Sequence, residues 1–292
     1  VVAASSWYVI RIYDVDLHSI TATLEADLDI ASLEVLDVEG DGPLEIVYGD
    51  GQWGGIHVHN AATRALKWTV NNPGHGLTRT AVGDPDGDGV RELLWGAGFS
   101  SSGADHLHVV STVTRVEEWR SEDIVGPFLG FSHGDVDADS RGELLSTSYA
   151  SDSDYGDGLL LIQDAETGQA EYSGQTTGSN WTGTWRVRNA NIDGDPQQEI
   201  FVATSYLYNG VVICYDGLSR AEQWRVQIPG GQTIRSLALA DVDLDGHLEV
   251  VAGTNVEHTG ASGTYVYVFA AATGVQEWKS PLLTVLELAR GL

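Results

Sequence analysis

Apolar and polar positions alternate along this chain in short bursts. Runs of about six to eight residues rich in Val, Ile, Leu and aromatics, such as "TIRSLALA" (233–240), "HLEVVAG" (247–253) and "YVYVFA" (265–270), are separated by Gly, Asn, Asp and Thr. Such runs predict strands, and no long capped amphipathic pattern predicts a helix. The first of these strands runs into an acid-rich loop, "DVDLDGHLEVV" at 241–251, which has four relatives: "DVEGDGPLEIV", "DPDGDGVRELL", "DVDADSRGELL" and "NIDGDPQQEIF". The loops start at Asp37, Asp84, Asp135, Asn191 and Asp241, in steps of 47, 51, 56 and 50 residues. A period near fifty marks a repeat architecture, and four strands per period, arranged radially, make the blade of a β-propeller.

The other parts of the period recur with the loops. The third strand and its hairpin appear as "IHVHNAATRALKW", "LHVVSTVTRVEEW", "LLLIQDAETGQAEY" and "VVICYDGLSRAEQW". An aromatic closes each one in register (Trp68, Trp119, Tyr172, Trp224 and, in the last period, Trp278) and is expected on the outer strand, over the seam between blades. The chain opens with "VVAASSWYVIRIYDVDLHSITATLE", which lacks a first strand but matches the second, third and fourth. It ends with "SPLLTVLELARGL", which matches a first strand. The expectation is an all-β, six-bladed β-propeller of four-stranded blades, in one domain of residues 1–292. One blade is shared by 1–25 and 282–292, which leaves no open sheet edge between the termini. The other five lie at about 29–70, 76–121, 127–174, 183–227 and 232–280.

The loops hold the candidate chemistry. Positions 1, 3, 5 and 9 are Asp37, Glu39, Asp41 and Glu45 in the first loop, and Asp84, Asp86, Asp88 and Glu92 in the second. The third has Asp135, Asp137, Asp139 and Glu143; the fourth Asn191, Asp193, Asp195 and Glu199; the fifth Asp241, Asp243, Asp245 and Glu249. Position 7 adds the backbone carbonyl of Pro43, Val90, Arg141, Gln197 or His247. Alternate hard oxygens on a tight turn suit Ca2+, which takes six to eight of them. Up to five ions are expected. An EF-hand is excluded, because it needs Glu at position 12 between helices, and here that position is Tyr48, Trp95, Ser146, Val202 or Ala252. No Cys/His cluster accompanies the acids, as Zn2+ would prefer.

Charge and composition narrow the partners. A formal net charge of −27 argues against nucleic acid and anionic membranes, which require a basic face. No run of eighteen apolar residues predicts membrane insertion. The single cysteine, Cys214, has no intramolecular partner and is expected as a buried strand residue. The chain contains no Met and opens without a signal-peptide pattern, so it is expected to be a processed or excised segment.

The five acidic loops resemble those of FG-GAP/VCBS-repeat (integrin-alpha-like) propellers, in which D-x-D-x-D-G-x-x-E stands between first and second strands. The resemblance extends over essentially the whole chain. It implies structural Ca2+ on one face, ligand recognition on the opposite face, and an extracellular or cell-surface setting. Ser140 in the third loop, and Asn191 and Pro196 in the fourth, depart from the pattern. Integrin heads have seven blades, so integrin partners are not carried over. Similar repeats in lectins and in calcium-dependent polysaccharide lyases imply two alternatives, a glycan-binding module and a lyase. A third is a protein-binding or structural domain of a larger surface protein. "DAETGQAEY" is also similar to the hairpin of quinoprotein propellers, but no cofactor residues accompany it.

Opposite the acidic loops, glycine-rich turns carry aromatics suited to sugar stacking or protein contact. These are Trp53, Phe99, Phe128, Tyr149, Tyr155, Trp181, Tyr206 and Tyr208. First strands carry Glu34, Arg79, Arg186, Arg188 and Arg235. These are expected chiefly in ion pairs, and Arg79 and Arg186, which share a register, are candidates for an acidic sugar. No nucleophile elbow or HExxH motif is present. His75 and His133 are the nearest candidates for a lyase base.

Overall fold

The computed structural model describes residues 2–51, 54–74, 76–97, 104–124, 126–148, 158–176, 183–206, 209–228, 232–256 and 263–283. They form twenty-three strands in six antiparallel sheets, and the chain falls into two compact units, Val1–Phe128 and Leu129–Leu292. The first unit opens with a three-stranded sheet, β1 (Val2–Ser6), β2 (Val9–Asp14) and β3 (Ser19–Glu25). Two four-stranded sheets follow. One is β4 (Ile30–Leu36), β5 (Glu45–Asp50), β6 (Gly55–Asn60) and β7 (Leu66–Asn71); the next is β8 (Leu77–Gly83), β9 (Glu92–Ala97), β10 (Leu107–Ser111) and β11 (Glu117–Arg120).

The second unit holds three more four-stranded sheets. They are β12 (Phe128–Gly134), β13 (Glu143–Ser148), β14 (Leu159–Asp164) and β15 (Ala170–Gln175); β16 (Arg186–Ala190), β17 (Glu199–Tyr206), β18 (Asn209–Asp216) and β19 (Glu222–Ile228); and β20 (Gln232–Ala240), β21 (Glu249–Val256), β22 (Val266–Ala270) and β23 (Gln276–Lys279). Strands pair in sequence order, which is the blade meander of a six-bladed β-propeller, as the repeat predicts. Of the strand expected to close the N-terminal blade, residues 284–292 lie outside the described residues. Leu283 itself bridges to Thr264.

One local device builds the outer hairpin of all six sheets. His18, Arg64, Arg115, Gly168, Arg220 and Gly274 each have positive φ, four residues after the last residue of the preceding strand. Each hairpin then slips by one residue, as at Val58/His59 and Cys214/Tyr215. A left-handed residue followed by a bulge is how a short hairpin keeps the right-handed strand twist. β1–β3 share this hairpin, which fits their reading as second, third and fourth strands of a blade.

Inner strands are buried on both faces; every residue of β5, β9 and β13 is buried. That explains their near-continuous apolar runs. The core lies between neighbouring sheets of a unit, as where Val47, Ile56, Val58 and Trp68 meet Leu77, Leu93 and Trp95. In the second unit, Phe201, Val212 and Cys214 meet Ile234, Val250 and Phe269. Of the outer-strand aromatics, Trp68 and Trp119 are buried, whereas Trp278 is half exposed. Phe128 does not present itself on a turn: it opens β12 and is fully buried. No helix among the described residues is long and apolar enough to cross a membrane.

Candidate metal centre

Each acidic loop joins the first strand of a sheet to the second, between β4 and β5, β8 and β9, β12 and β13, β16 and β17, and β20 and β21. Four of the loops close through the same backbone bonds. The amide at position 6 donates to the position-1 carboxylate: Gly42 to Asp37 and Gly246 to Asp241 at 3.0 Å, Gly89 to Asp84 and Ser140 to Asp135 at 3.1 Å. Gly42, Gly89 and Gly246 have positive φ, and so does Ser140, which holds the turn without glycine. The carboxylates are therefore gathered by the turn itself.

Within each loop the oxygens converge to within 4.8 Å of one another. The converging sets are Asp37, Asp41 and Glu45; Asp84, Asp86 and Glu92; Asp135, Asp137, Asp139 and Glu143; Asp193, Asp195 and Glu199; and Asp241, Asp243 and Glu249. All five groups can hold a metal ion. Asp88 and Asp245 lie outside these sets; like Asp139 of the third loop, each accepts the position-7 amide, from Val90 and His247. Arg141 and Gln197, expected only for their carbonyls, turn their side chains onto Asp139 and Asp195.

The position-9 glutamates are buried at the head of each second strand. One oxygen of Glu45, Glu143, Glu199 and Glu249 accepts the position-2 amide, from Val38 at 3.0 Å, Val136 at 2.7 Å, Ile192 at 3.0 Å and Val242 at 2.8 Å. In the second loop position 2 is Pro85, which has no N–H. Glu92 is 1% exposed and neither of its oxygens has a hydrogen-bond partner. Burial, then the charges of Asp86, Glu118, Asp88 and Asp84, push its carboxyl up to about 9. Burial also pushes Glu143 up to about 7, and raises Glu199 and Asp86. Buried Asp84 Oδ1, Asp195 Oδ1 and Glu199 Oε1 are unpartnered as well. Converging, unsatisfied, all-oxygen donors fit a hard divalent cation.

The first loop differs. Glu39, expected among its ligands, is turned out of the set: Lys67 Nζ lies 2.5 Å from its Oε2, and Trp68 Nε1 donates to its Oε1 at 2.8 Å. Although burial acts to raise it, these partners hold the Glu39 carboxyl below its ordinary value. Lys67 Nζ also reaches Glu45 Oε1 at 2.8 Å. Lys67 is not among the sequence candidates, yet its position is legible as the residue before the in-register aromatic. The corresponding residues are Glu118, Glu171, Gln223 and Glu277.

The family comparison bears on two of these loops. Residues 191–252 match the model of the FG-GAP-like repeat. This segment is similar to an FG-GAP-like repeat. It starts at Asn191, at the head of the fourth loop, and ends in β21, so this FG-GAP-like stretch includes both the fourth and fifth acidic loops. The resemblance drawn from the loop residues is borne out there. Among solved structures, the crystal structure of the computationally designed Ika8 protein is similar, with a TM-score of 0.63 and 15% identity over 94% of this chain and 68% of that one. At that identity the likeness concerns the fold alone. No curated protein matches the chain.

Trp53, Phe99, Tyr149, Tyr155, Trp181, Tyr208 and the side chain of Tyr206 lie outside the described residues, as does His75. Arg186 is placed: its Nη1 donates to the carbonyls of Leu129 and Trp185, both at 2.6 Å. Arg188 Nη1 likewise donates to Val187 at 2.7 Å and Phe131 at 3.3 Å. Arg235 stacks its guanidinium 3.6 Å from the Trp185 ring centroid. These arginines thus knit first strands together through carbonyls and an aromatic face. Arg79 is part-buried on β8, and the His133 carbonyl accepts from Asn189 Nδ2 at 3.1 Å.

Proposed function

We propose that this chain is a Ca2+-stabilised, non-catalytic recognition module of the extracellular space or cell surface, with glycan as its ligand. The observation that carries the calcium part is Glu92, a buried carboxylate whose two oxygens are unpartnered and one of which lies within 4.8 Å of Asp84 and Asp86 oxygens. A buried anion without a counter-charge costs several kcal/mol. A bound Ca2+ supplies that charge and cross-links the turn to the second strand. Asp84, Asp86 and Glu92 would hold it in the second loop, and the corresponding carboxylates hold it elsewhere, for up to five ions.

The glycan part rests on topology. Within each four-stranded sheet the acidic loop stands at one end, and the connection from second to third strand stands at the other. That second connection carries Trp53, Phe99, Tyr149 and Tyr155, or Tyr208, among glycines. Rigid amphipathic rings on a metal-braced scaffold suit sugar stacking.

Titration calorimetry of chelator-treated protein with Ca2+ tests the first part, with saturable binding and a rise in melting temperature as the expected result. An unchanged melt and no heat of binding would remove the calcium reading. A glycan array probed with Ca2+ and again with chelator tests the second. Binding to one sugar class, lost in chelator, is expected; a blank array would move the ligand class to protein. Unsaturated products released from the bound sugar would make the module a lyase.

A further inference from the structure

We propose that Lys67 is the resident cation of the first acidic loop, so that the chain carries four calcium sites and one loop closed by its own ammonium group. The proposal rests on the calcium reading above and refines it.

The first loop has the same turn as the second, third and fifth. Asp37 accepts the amides of Asp41 and Gly42, both at 3.0 Å, and Glu45 accepts that of Val38. What differs is the counter-charge. Lys67 Nζ sits 2.5 Å from Glu39 and 2.8 Å from Glu45, the acids at positions 3 and 9. Both oxygens of the fully buried Glu45 are therefore bonded, one to Val38 and one to Lys67. The Glu92 oxygens of the second loop have no such partners. A second cation adds to this: Arg115 Nη2 lies 3.9 Å from Glu39, and its guanidinium stands 5.5 Å from the Trp68 ring centroid.

The register makes the substitution specific. In the first, second, third and fifth of the loop-bearing sheets the residue preceding the outer-strand aromatic stands by the acids of its own loop. In the first it is Lys67, whereas the second, third and fifth loops have Glu118, Glu171 and Glu277 and the fourth has Gln223. Glu277 lines a cleft of about 270 Å³ together with Asp245, His247 and Glu249 of the fifth loop. An acid at this position deepens the demand for a divalent ion, and a lysine satisfies part of it. A metal entering the first loop has to displace an ammonium from two carboxylates, then coexist with that charge in the same turn. Like charges held this close in a partly buried turn repel one another strongly. The third loop also carries cations, Arg141 on Asp139 and Arg220 on Asp137, but among the described residues only Lys67 of the first loop reaches the buried position-9 glutamate.

Native mass spectrometry of the full chain, dialysed against chelator and then against Ca2+, counts the ions. Four are expected for the wild type and five for Lys67→Gln. The melting temperature of Lys67→Gln should lie below wild type in chelator and recover in Ca2+. Should that variant fail to fold, Glu118→Lys provides the reciprocal test, and its count should fall from four to three. A wild-type count of five, unaltered by Lys67→Gln, overturns the proposal while leaving the calcium reading intact. A loss of stability in Lys67→Gln that Ca2+ does not repair also overturns it, since that marks a purely structural lysine. If neither protein binds Ca2+, the calcium reading falls, and this proposal with it.

Discussion

Pro85 withholds from Glu92 the hydrogen bond that the four corresponding glutamates receive. Val38, Val136, Ile192 and Val242 each donate a position-2 amide to the glutamate at position 9. Glu92 instead rests in the core of its sheet with both oxygens unpartnered. Its burial, which forces the carboxyl to stay protonated, is a liability in the metal-free protein, and its negative charge is an asset once a cation is bound. Glu92→Gln should therefore melt higher than wild type in chelator, by the equivalent of ~2–4 kcal/mol. In excess Ca2+ the order should invert, because the variant has lost an anionic ligand. Differential scanning calorimetry in both buffers checks the inversion; a variant less stable in both would show that the Glu92 carboxylate is satisfied without metal.

The same residue sets the pH dependence. The Glu92 carboxyl is raised from an ordinary 4.5 to about 9, and that of Glu143 to about 7. Between these values and 4.5 the folded protein binds protons that the unfolded chain releases. Stability is fully present below the unfolded value and is lost as pH rises through the folded ones. The chelated protein should therefore become steadily less stable from about pH 5 to about pH 9. Ca2+ should flatten that slope by displacing the protons. Melting curves across this range, with and without Ca2+, measure both slopes.

Cys214 provides a probe of opening. It is fully buried in β18, and burial pushes its thiol well above the ordinary range. A thiolate is the reactive form, so labelling requires the sheet to open. In saturating Ca2+ the reaction with a thiol reagent should be slow, and chelator should accelerate it at least ten-fold. Binding at 100 times the Kd adds ~2.7 kcal/mol per site to the closed state. Equal labelling rates in both buffers would show that the loops do not brace this sheet.

The strand order was legible because the blade repeats its punctuation. The acidic loop, the slipped hairpin and the closing aromatic recur in register, and each has a local cause in the turn. Less legible were features decided by what faces the loop across the sheet. Pro85 reads in sequence as a harmless turn residue, and only the amide bonds of its four counterparts show what it removes. Lys67 reads as an exposed strand residue until its ammonium is seen on Glu39 and Glu45. Arg186, a candidate for an acidic sugar, donates to the carbonyls of Leu129 and Trp185, contacts that depend on which strand ends lie side by side and so cannot be read from the sequence.

Gly217 shows how closely neighbouring loops approach. A Cβ at this position would lie 2.1 Å from the Gln198 carbonyl oxygen and 2.2 Å from that of Val136, the position-2 residue of the third loop. Backbone on both sides leaves no room to yield. Gly217→Ala should destabilise by ~3 kcal/mol, the upper part of the overpacking range. Gly87→Ala, where φ is +74° and nothing lies within 4 Å, should cost only the ~1–2 kcal/mol of left-handed backbone strain. Denaturant melts of the two variants rank the effects, and a Gly217→Ala midpoint at or above that of Gly87→Ala would contradict the packing.

Asn191 and Pro196 depart from the loop pattern together, for one physical reason. In the other four loops the position-6 amide donates to the position-1 carboxylate, but Pro196 has no N–H to give. Asn191 closes the turn differently: its Oδ1 accepts from Gly194 at 2.9 Å, and its Nδ2 donates to the Asp195 carbonyl. Asn191→Asp replaces that donor with an anionic oxygen facing a carbonyl, beside Asp193, Asp195 and Glu199. In chelator it should destabilise by ~0.5–1.5 kcal/mol, the worth of the exposed hydrogen bond lost. In Ca2+ the loop gains a fourth carboxylate, so the affinity of this site should rise, by about ten-fold if the added ligand contributes ~1.4 kcal/mol. Calorimetric titration of the variant, paired with its chelator melt, reads both signs at once. A variant weaker in Ca2+ binding than wild type would show that the amide, and not a carboxylate, is what the fourth loop requires.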